Sequence, residues 1–494
     1  MSTEQRTSSN TPFKPLWLLI AIIVLVGILL LPTPADLPEA GHRALAILGF
    51  AVVLWMTEAV SYPVSAALLI GLISLIIGLG PSIEDPSQIM ESKKALKWAL
   101  EGFSSSAVAL VAGALFLAAA MQVTDLHRRI ALLILSRVGS KTNRIVIGAI
   151  LVSIVLAFFV PSATARAGAV VPILLGMVTA FGLSKNSRLA ALLVITAVQA
   201  ISIWNVGIKT AAAQNMVALD LISKTMNVSF TWSEWFMYAA PWSILMSIIL
   251  YFVMMKTLPP EAHEITNGQE MVRQQLQEMG PLKNTEIRLI IVSLLLLFFW
   301  STEGILHDLD TSTTTLTAIA ILLTPGIGVF SWKEAEEKIP WGTIIMFAVG
   351  ISMGGILLKT QAAAWLANGF FNLFGLNAMP ILSVIAIITL FNILIHLGFA
   401  SATSLASVLI PIVIAIVGAL EHEGLNTPGM VLLQQFVISF GFILPINAPQ
   451  NMLAYGTGSF TVKQFVRTGI PLTIIAYLMI LLFSSTYWKW VGLI

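Results

Sequence analysis

Residues 161–173 read PSATARAGAVVPI, and residues 400–411 read ASATSLASVLIP. Each stretch carries Ser-Ala-Thr, at residues 162–164 and 401–403, and each continues to a proline. The interval between the copies is 401 − 162 = 239 for the serines and 411 − 172 = 239 for the prolines. One polar motif therefore occurs twice, inside apolar surroundings, at a constant separation.

A second polar motif recurs in the same order. AQNM at 213–216 matches PQNM at 449–452 at three of four positions, with 451 − 215 = 236. Two motifs that recur at nearly one period indicate that the chain consists of two related halves. In a membrane protein, this organisation is typical of a transporter whose binding site lies between the repeats.

The composition indicates that this protein lies in a membrane. Of its 494 residues, 57% are hydrophobic and 10% are charged, whereas soluble proteins carry roughly 25% charged residues. We therefore expect membrane lipid, and no nucleic acid, as a partner. The chain contains no cysteine, which excludes disulfides and thiolate chemistry.

The predicted fold is an all-α polytopic membrane protein with about eleven transmembrane helices and two re-entrant hairpins, arranged as an inverted-topology repeat. Two of the spans, near 189–220 and 430–460, contain polar or proline-rich breaks. The nine continuous spans lie near 15–32, 44–61, 63–80, 106–126, 238–256, 288–303, 313–330, 342–360 and 468–487.

The two Ser-Ala-Thr segments, 146–182 and 382–416, are apolar, then small and polar, then apolar again. We interpret each as a re-entrant hairpin with the motif at its tip, which a membrane tolerates only inside protein or beside a wet cavity. The predicted division is a cytoplasmic tail at 1–14, halves at 15–256 and 288–494, and a cytoplasmic connector at 257–287.

The distribution of lysine and arginine predicts the orientation. Seventeen of them fall in the inner segments and seven in the outer ones if the N-terminus is cytoplasmic. We therefore expect a multi-pass protein of the cell inner (plasma) membrane, with hairpins that enter from opposite sides. Within the inner segments, His127-Arg128-Arg129 is expected to be a solvated anchor.

The hairpin tips offer hydroxyl groups and the ends of short helices. Free N–H groups at a helix N-terminus attract anions, so two tips that meet would form a site near the middle of the membrane. Serine and threonine also join helices in membranes without binding a ligand. The repetition of the motif favours the binding interpretation.

Arg166 follows the first tip in an otherwise uncharged segment. A charged residue at this depth costs roughly 2.5–3.5 kcal/mol, so we expect it to be functional. A guanidinium can bind a carboxylate through two hydrogen bonds; the alternative is a structural or snorkelling arginine. The matching residue, at 166 + 239 = 405, is Leu405, so the positive charge belongs to one half only.

Lys209, in the first break, and His396, shortly before the second tip, are further candidates. Each could face the substrate, or fill space that a metal ion would otherwise take, and His396 could equally be a packed core residue. Asn215 and Asn451 follow the breaks, where they shape the site or bind substrate, or cap the second half-helix. The candidate substrate-binding set is Ser162, Ala163, Thr164, Arg166, Lys209, Thr210, Asn215, His396, Ser401, Ala402, Thr403 and Asn451.

Enzyme signatures are absent from the sequence. It contains neither HExxH nor a P-loop. A single GxSxG string at 350–354 lies within a predicted span and not in the strand–turn–helix context of a nucleophile elbow. We expect no enzymatic activity, no cofactor and no resident metal.

These features resemble the divalent anion/sodium symporter family of carboxylate transporters. The resemblance covers nearly the whole chain and includes the hairpins, the broken helices and WMTEAVSYPVSAAL at 55–68. In that family the tips read Ser-Asn-Thr, where serine and asparagine help to hold sodium and asparagine and threonine contact a carboxylate. Here Ala163 and Ala402 replace both asparagines.

The resemblance implies a homodimer that works by an elevator motion. Because both tip asparagines are lost and Arg166 is gained, this sequence looks most similar to the family's sodium-independent exchangers. These exchange 2-oxoglutarate, malate, succinate, tartrate or citrate. We therefore predict sodium-independent exchange of di- or tricarboxylates. The alternative is a sodium-coupled dicarboxylate symporter of the same family, and rivals from other classes are an intramembrane enzyme and an anion channel.

Overall fold

The structure is a computed structural model that describes residues 14–376, 379–420 and 425–494. Within these residues the regular elements are helices, and extended residues pair only as isolated bridges. The predicted all-α architecture is confirmed. The helices of the first half are α1 (Pro15–Leu30), α2 (Glu39–Thr57), α3 (Tyr62–Leu72), α4 (Ser92–Leu100), α5 (Ser106–Val123), α6 (Leu126–Leu135), α7 (Thr142–Phe159), α8 (Ala163–Ala180), α9 (Arg188–Gly207), α10 (Ala213–Met226) and α11 (Trp232–Thr257).

The connector contains one helix, α12 (Thr266–Glu278), and the second half follows it. Short 3-10 turns occupy both breaks, at Lys209–Ala211 and Pro445–Asn447. The helices of the second half are α13 (Asn284–Thr302), α14 (Thr311–Leu323), α15 (Trp332–Lys338), α16 (Trp341–Lys359), α17 (Ala362–Phe374), α18 (Ile381–His396), α19 (Ala402–Gly418), α20 (Thr427–Ile438), α21 (Pro449–Tyr455), α22 (Val462–Ser485) and α23 (Tyr487–Trp490).

Nine helices in the described part of the chain are long and apolar enough to cross a membrane. The predicted spans coincide with helices, but some boundaries differ. α14 ends at Leu323, seven residues before the predicted end at 330, because Thr324 precedes a proline and is disfavoured in a helix. α11 begins at Trp232 because Thr231 and Glu234 form a capping box at its start.

α9 lies at the centre of the fold. Every residue from Leu189 to Gly207 is buried, as expected for a helix that is apolar on all sides. It packs against both helices of the first hairpin, α7 and α8, and also against α11 and α21. The first break is therefore enclosed by protein.

The second half-helix of each broken span packs against the hairpin of the other half: α10 against α19, and α21 against α8. Two hydrogen bonds also join each half to the other. Gln214 Nε2 donates to Ser439 Oγ at 3.2 Å, and Gln450 Nε2 donates to Ser202 Oγ at 3.0 Å. The glutamines are separated by 236 residues and the serines by 237, so equivalent contacts join the halves in both directions.

The connector helix α12 packs against α6 and α8. Beside it, Arg129 forms a buried ion pair with Glu286, with 2.6 Å between Nε and Oε1, and Arg129 Nη1 donates to the carbonyl of Gly280 at 2.8 Å. The prediction that residues 127–129 form a solvated anchor is wrong. Arg128 is exposed, but His127 and Arg129 are only 8% and 5% exposed, since the buried carboxylate of Glu286 supplies a partner for Arg129 that the sequence did not reveal.

Candidate functional site

The two Ser-Ala-Thr tips have the same local structure. Ser162 begins α8, where its Oγ accepts a hydrogen bond from the amide of Ala165 at 3.3 Å, and Ser401 does the same for Ser404 at the start of α19. Their backbone angles agree, with φ/ψ of −137°/111° and −138°/119°. Both serines are helix N-caps, as this residue type favours.

Each tip lies at the N-terminal end of a long helix, where the helix dipole favours an anion. Ala163 and Ala402 are the first helical residues and carry no ligand atom, while Thr164 and Thr403 stand second. Thr164 is exposed, and Thr403 is half-buried. The positive ends of the two helix dipoles therefore coincide with the two threonine hydroxyls.

Each break is held by the asparagine that follows it. Asn215 Nδ2 donates to the carbonyl of Asn205 at 2.8 Å, and Asn451 Nδ2 donates to the carbonyl of Gly441 at 2.8 Å. Both asparagines are fully buried. Their amide groups satisfy carbonyls at the ends of the preceding half-helices and do not cap the second half-helices, α10 and α21. Substrate binding by these asparagines remains a prediction.

Arg166 is fully buried at the junction between the first hairpin and the first break. Its Nη2 donates to Asn205 Oδ1 at 2.5 Å and to the carbonyl of Ala211 at 2.9 Å. Its Nε and Nη1 have no hydrogen-bond partner within the described residues. In this conformation Arg166 lies behind the first tip, and the direct substrate contact remains a prediction.

The position of Arg166 has a physical basis. α9 ends at Gly207, close to Asn205, so the guanidinium lies near the negative end of a helix dipole. It forms no ion pair with an acidic residue in the described part of the chain. The first junction therefore holds a positive charge that only dipoles and neutral oxygens offset.

The junction between the second hairpin and the second break is built differently. Asn447 Nδ2 donates to the carbonyls of His396 at 2.8 Å and Phe399 at 3.1 Å, at the end of α18. His396 Nε2 lies 3.3 Å from the carbonyl of Asn447, and the histidine is 2% exposed. His396 thus packs at this junction and does not face an open cavity.

Lys209 and Thr210 differ in their surroundings: Lys209 lines a cavity that no tip residue lines, whereas Thr210 lines a small cavity with Pro161, next to the first tip. Lys209 Nζ donates to the carbonyl of Phe230 at 2.8 Å and to Thr311 Oγ1 at 3.4 Å, while Thr210 Oγ1 accepts from the indole N–H of Trp232 at 3.4 Å. Lys209 lines a polar cavity of about 210 Å³ that also contains three carboxylates, those of Asp220, Glu303 and Asp310. None of the residues of the two tips lines this cavity.

A second cavity, of about 410 Å³, lies beside the first tip and is called the vestibule here. The sequence predicted two of its polar residues and missed the other three. Lys338 belongs to a short acidic helix, and no spacing in the sequence connects it with a tip 174 residues earlier. The polar side chains that line the vestibule are those of Gln122, His127, Ser162, Thr164 and Lys338.

The model of the sodium:sulfate symporter transmembrane region matches residues 14–494. The chain belongs to this family. The predicted resemblance is thus confirmed, and the protein is a multi-pass membrane protein of a transporter family.

Several relatives match nearly the full chain, and three of them are described here. A protein of Cupriavidus necator named only as a membrane protein is 51% identical, over 96% of this chain and 92% of its own. The citrate/succinate antiporter of Escherichia coli K12 is 27% identical, over 94% and 96%. A sodium-dependent dicarboxylate transporter of Staphylococcus saprophyticus is 24% identical, over 97% and 92%.

A solved structure supports the fold of this family member. The YdaH transporter of Alcanivorax borkumensis, whose topology is described as unusual, aligns with a TM-score of 0.57 and 14% identity. The alignment covers 86% of this chain and 97% of YdaH. At this identity the likeness concerns the fold alone.

Proposed function

We propose that this protein exchanges di- or tricarboxylate anions across the membrane without sodium. The observation that carries the proposal is the position of Arg166, fully buried and bonded to Asn205 and Ala211 at the first break. The family resemblance implies a sodium ion between hairpin tip and break in the symporters. A fixed guanidinium at this junction supplies the positive charge that an ion would otherwise bring.

The chemistry of the tips agrees with this proposal. Ala163 and Ala402 lack the side-chain oxygen that asparagine would offer to sodium, whereas Thr164, Thr403 and the helix N-termini suit carboxylate oxygens. One carboxylate would lie at each tip. Arg166 would attract the carboxylate at the first tip electrostatically, or would bind it directly after a rearrangement of the arginine side chain.

A fixed positive charge gives a reason for obligate exchange. Moving an uncompensated charge through a low-dielectric barrier is costly, so the empty carrier should return slowly. A bound dicarboxylate offsets the charge of Arg166 and lowers that cost. The carrier would therefore cross readily only when loaded, by the elevator motion that the family resemblance implies.

Reconstituted proteoliposomes test the proposal. Labelled succinate should accumulate only when the vesicles contain an unlabelled dicarboxylate, and replacing external sodium by choline should leave the rate unchanged. Sodium-driven uptake into vesicles without internal anion would contradict exchange. Vesicles without protein give the background.

The second candidate is sodium-coupled symport, and one observation favours it. The second junction carries Leu405 in place of an arginine, and Asn451 Oδ1 is buried there without a partner in the described residues. Oxygen ligands suit hard cations, and one of the relatives is a sodium-dependent dicarboxylate transporter. A saturable dependence of the transport rate on sodium would favour this candidate.

The cytoplasmic N-terminus, the opposed entry of the two hairpins and the homodimer belong to the same proposal. Their support is the distribution of lysine and arginine along the chain and the family to which the chain belongs. Protease accessibility of residues near position 14 in sealed vesicles tests the orientation. Cross-linking of the purified protein tests the dimer.

A further inference from the structure

The polar wall of the vestibule opposite the first tip is not explained by the hairpins. It is formed by Gln122 on α5, His127 on α6 and Lys338 at the end of α15. Among the described residues that line the vestibule none is acidic, whereas the cavity beside Lys209 contains three carboxylates. The vestibule is thus the cavity suited to an anion.

Lys338 is held in place by the packing of its helix. Ala335 and Ile339, one turn apart around it, are 0% and 5% exposed. The ring of Trp332 at the start of α15 lies 5.5 Å from that of Phe116 on α5. Lys338 itself is exposed and forms no ion pair with any described residue, so its ammonium group is available to a ligand.

His127 adds a directed hydrogen-bond acceptor. Its Nδ1 lies 2.8 Å from the carbonyl of Met121, which can only accept, so Nδ1 carries the proton. Burial lowers the pKa of the imidazole below its usual value, which leaves Nε2 as an unprotonated acceptor at neutral pH. Nε2 has no partner within the described residues although the side chain is 92% buried and lines the vestibule.

We infer that the vestibule is a loading site for 2-hydroxydicarboxylates. Lys338, Gln122 and the Thr164 hydroxyl at the first tip take a carboxylate, and His127 Nε2 accepts the hydrogen bond of the substrate hydroxyl. The inference rests on the proposed transport of dicarboxylates and adds a preference within that class. A dicarboxylate without a hydroxyl leaves His127 Nε2 unpaired, and such a loss lowers affinity.

Competition binding on the full chain purified in detergent tests the inference. Displacement of labelled succinate by L-malate and by unlabelled succinate is measured for the unaltered protein and for variants. Lys338→Gln should weaken both competitors about fivefold, the size expected for one charge-assisted hydrogen bond in a partly exposed site. Lys333→Gln is the matched control, because Lys333 lies on the same helix but does not line the vestibule.

The histidine is tested by a pair of variants. His127→Phe should weaken L-malate about fivefold and leave succinate unchanged, while His127→Gln, which keeps an acceptor, should retain most of the malate affinity. Equal effects of Lys338→Gln and Lys333→Gln, or equal effects of His127→Phe on both competitors, would overturn the inference. If the unaltered protein binds neither dicarboxylate, the proposed function itself fails.

Discussion

The two hairpin–break junctions share a backbone and differ in charge. In both, a serine caps the hairpin helix and an asparagine amide binds the carbonyl at the break, of Asn205 in one half and Gly441 in the other. The first junction then adds Arg166, held by Asn205 and Ala211. The second has Leu405, Gly441 and Asn447 at the matching positions, with His396 beside them.

This comparison separates architecture from electrostatics. The contacts that shape the tips and breaks occur twice, so they belong to the scaffold that the halves share. The positive charge of Arg166 occurs in the first half only. Its acceptor, Asn205, also occurs only there, because the matching residue of the second half is Gly441. The shared contacts form a symmetric frame, and the function that we propose depends on the asymmetry.

The strongest test removes the charge from the first junction. Arg166→Leu, which copies the second half, should reduce succinate counterflow by about 100-fold, because a buried charged contact contributes about 3 kcal/mol. The free energy of unfolding should fall by no more than about 1–3 kcal/mol, because Asn205 Oδ1 and the carbonyl of Ala211 lose their donor while a buried charge is removed.

Leu405→Met is the matched control for that variant. It changes the equivalent position of the second half, conserves volume and should leave transport nearly unchanged. Full counterflow in Arg166→Leu would show that the arginine is not needed for transport.

Asn447→Ala tests the neutral junction. Ala211 occupies the matching position in the first half, so the variant makes the two halves alike there. Loss of the amide leaves the carbonyls of His396 and Phe399 without their donor, which should lower the free energy of unfolding by about 2 kcal/mol. Thermal denaturation in detergent measures it, and an unchanged midpoint would mean that other contacts hold the second tip.

Asn205→Asp separates the charge of Arg166 from its hydrogen bond. The substitution is nearly isosteric and keeps the acceptor for Nη2, but its carboxylate neutralises the guanidinium. If the charge is what matters, counterflow should fall about tenfold, equivalent to about 1.4 kcal/mol. Wild-type rates in this variant would assign Arg166 a structural role instead.

The smallest expected change is a loss of stability when the serine N-caps that both halves share are removed. Ser162→Ala and Ser401→Ala each remove a helix N-cap and should each lower the free energy of unfolding by about 1 kcal/mol. Because the two caps have the same geometry, the decreases should be equal within experimental error. A much larger decrease at one tip, measured by thermal denaturation, would show that the tips are not structurally equivalent.

The sequence alone predicted the features that repeat. The two tips, the two breaks and most spans follow from hydropathy and from motifs spaced 236 or 239 residues apart. The caps at residues 162 and 401 were not predicted, because both serines were assigned to the substrate. Sequence reasoning placed Arg166 just past the first tip but did not predict its contacts with the first break.

Side-chain direction could not be predicted in the same way. Arg166 turns towards Asn205, 39 residues later in the chain. Lys209 lines a cavity that no tip residue lines, where Phe230 and Thr311 offer it oxygens. Lys338 lies at the vestibule because its helix, α15, packs through Trp332 against Phe116 of α5. Such contacts depend on the tertiary arrangement and leave no local pattern.

The reciprocal glutamine contacts have a consequence for how the protein is made. Gln214 is synthesised 225 residues before Ser439, to which it donates. Until the second half is inserted, this amide lacks the partner that it has in the folded protein, and an unpaired buried amide costs about 1–3 kcal/mol. The nascent first half is thus only provisionally folded in the membrane, and translation must pass position 450 before both contacts between the halves can close.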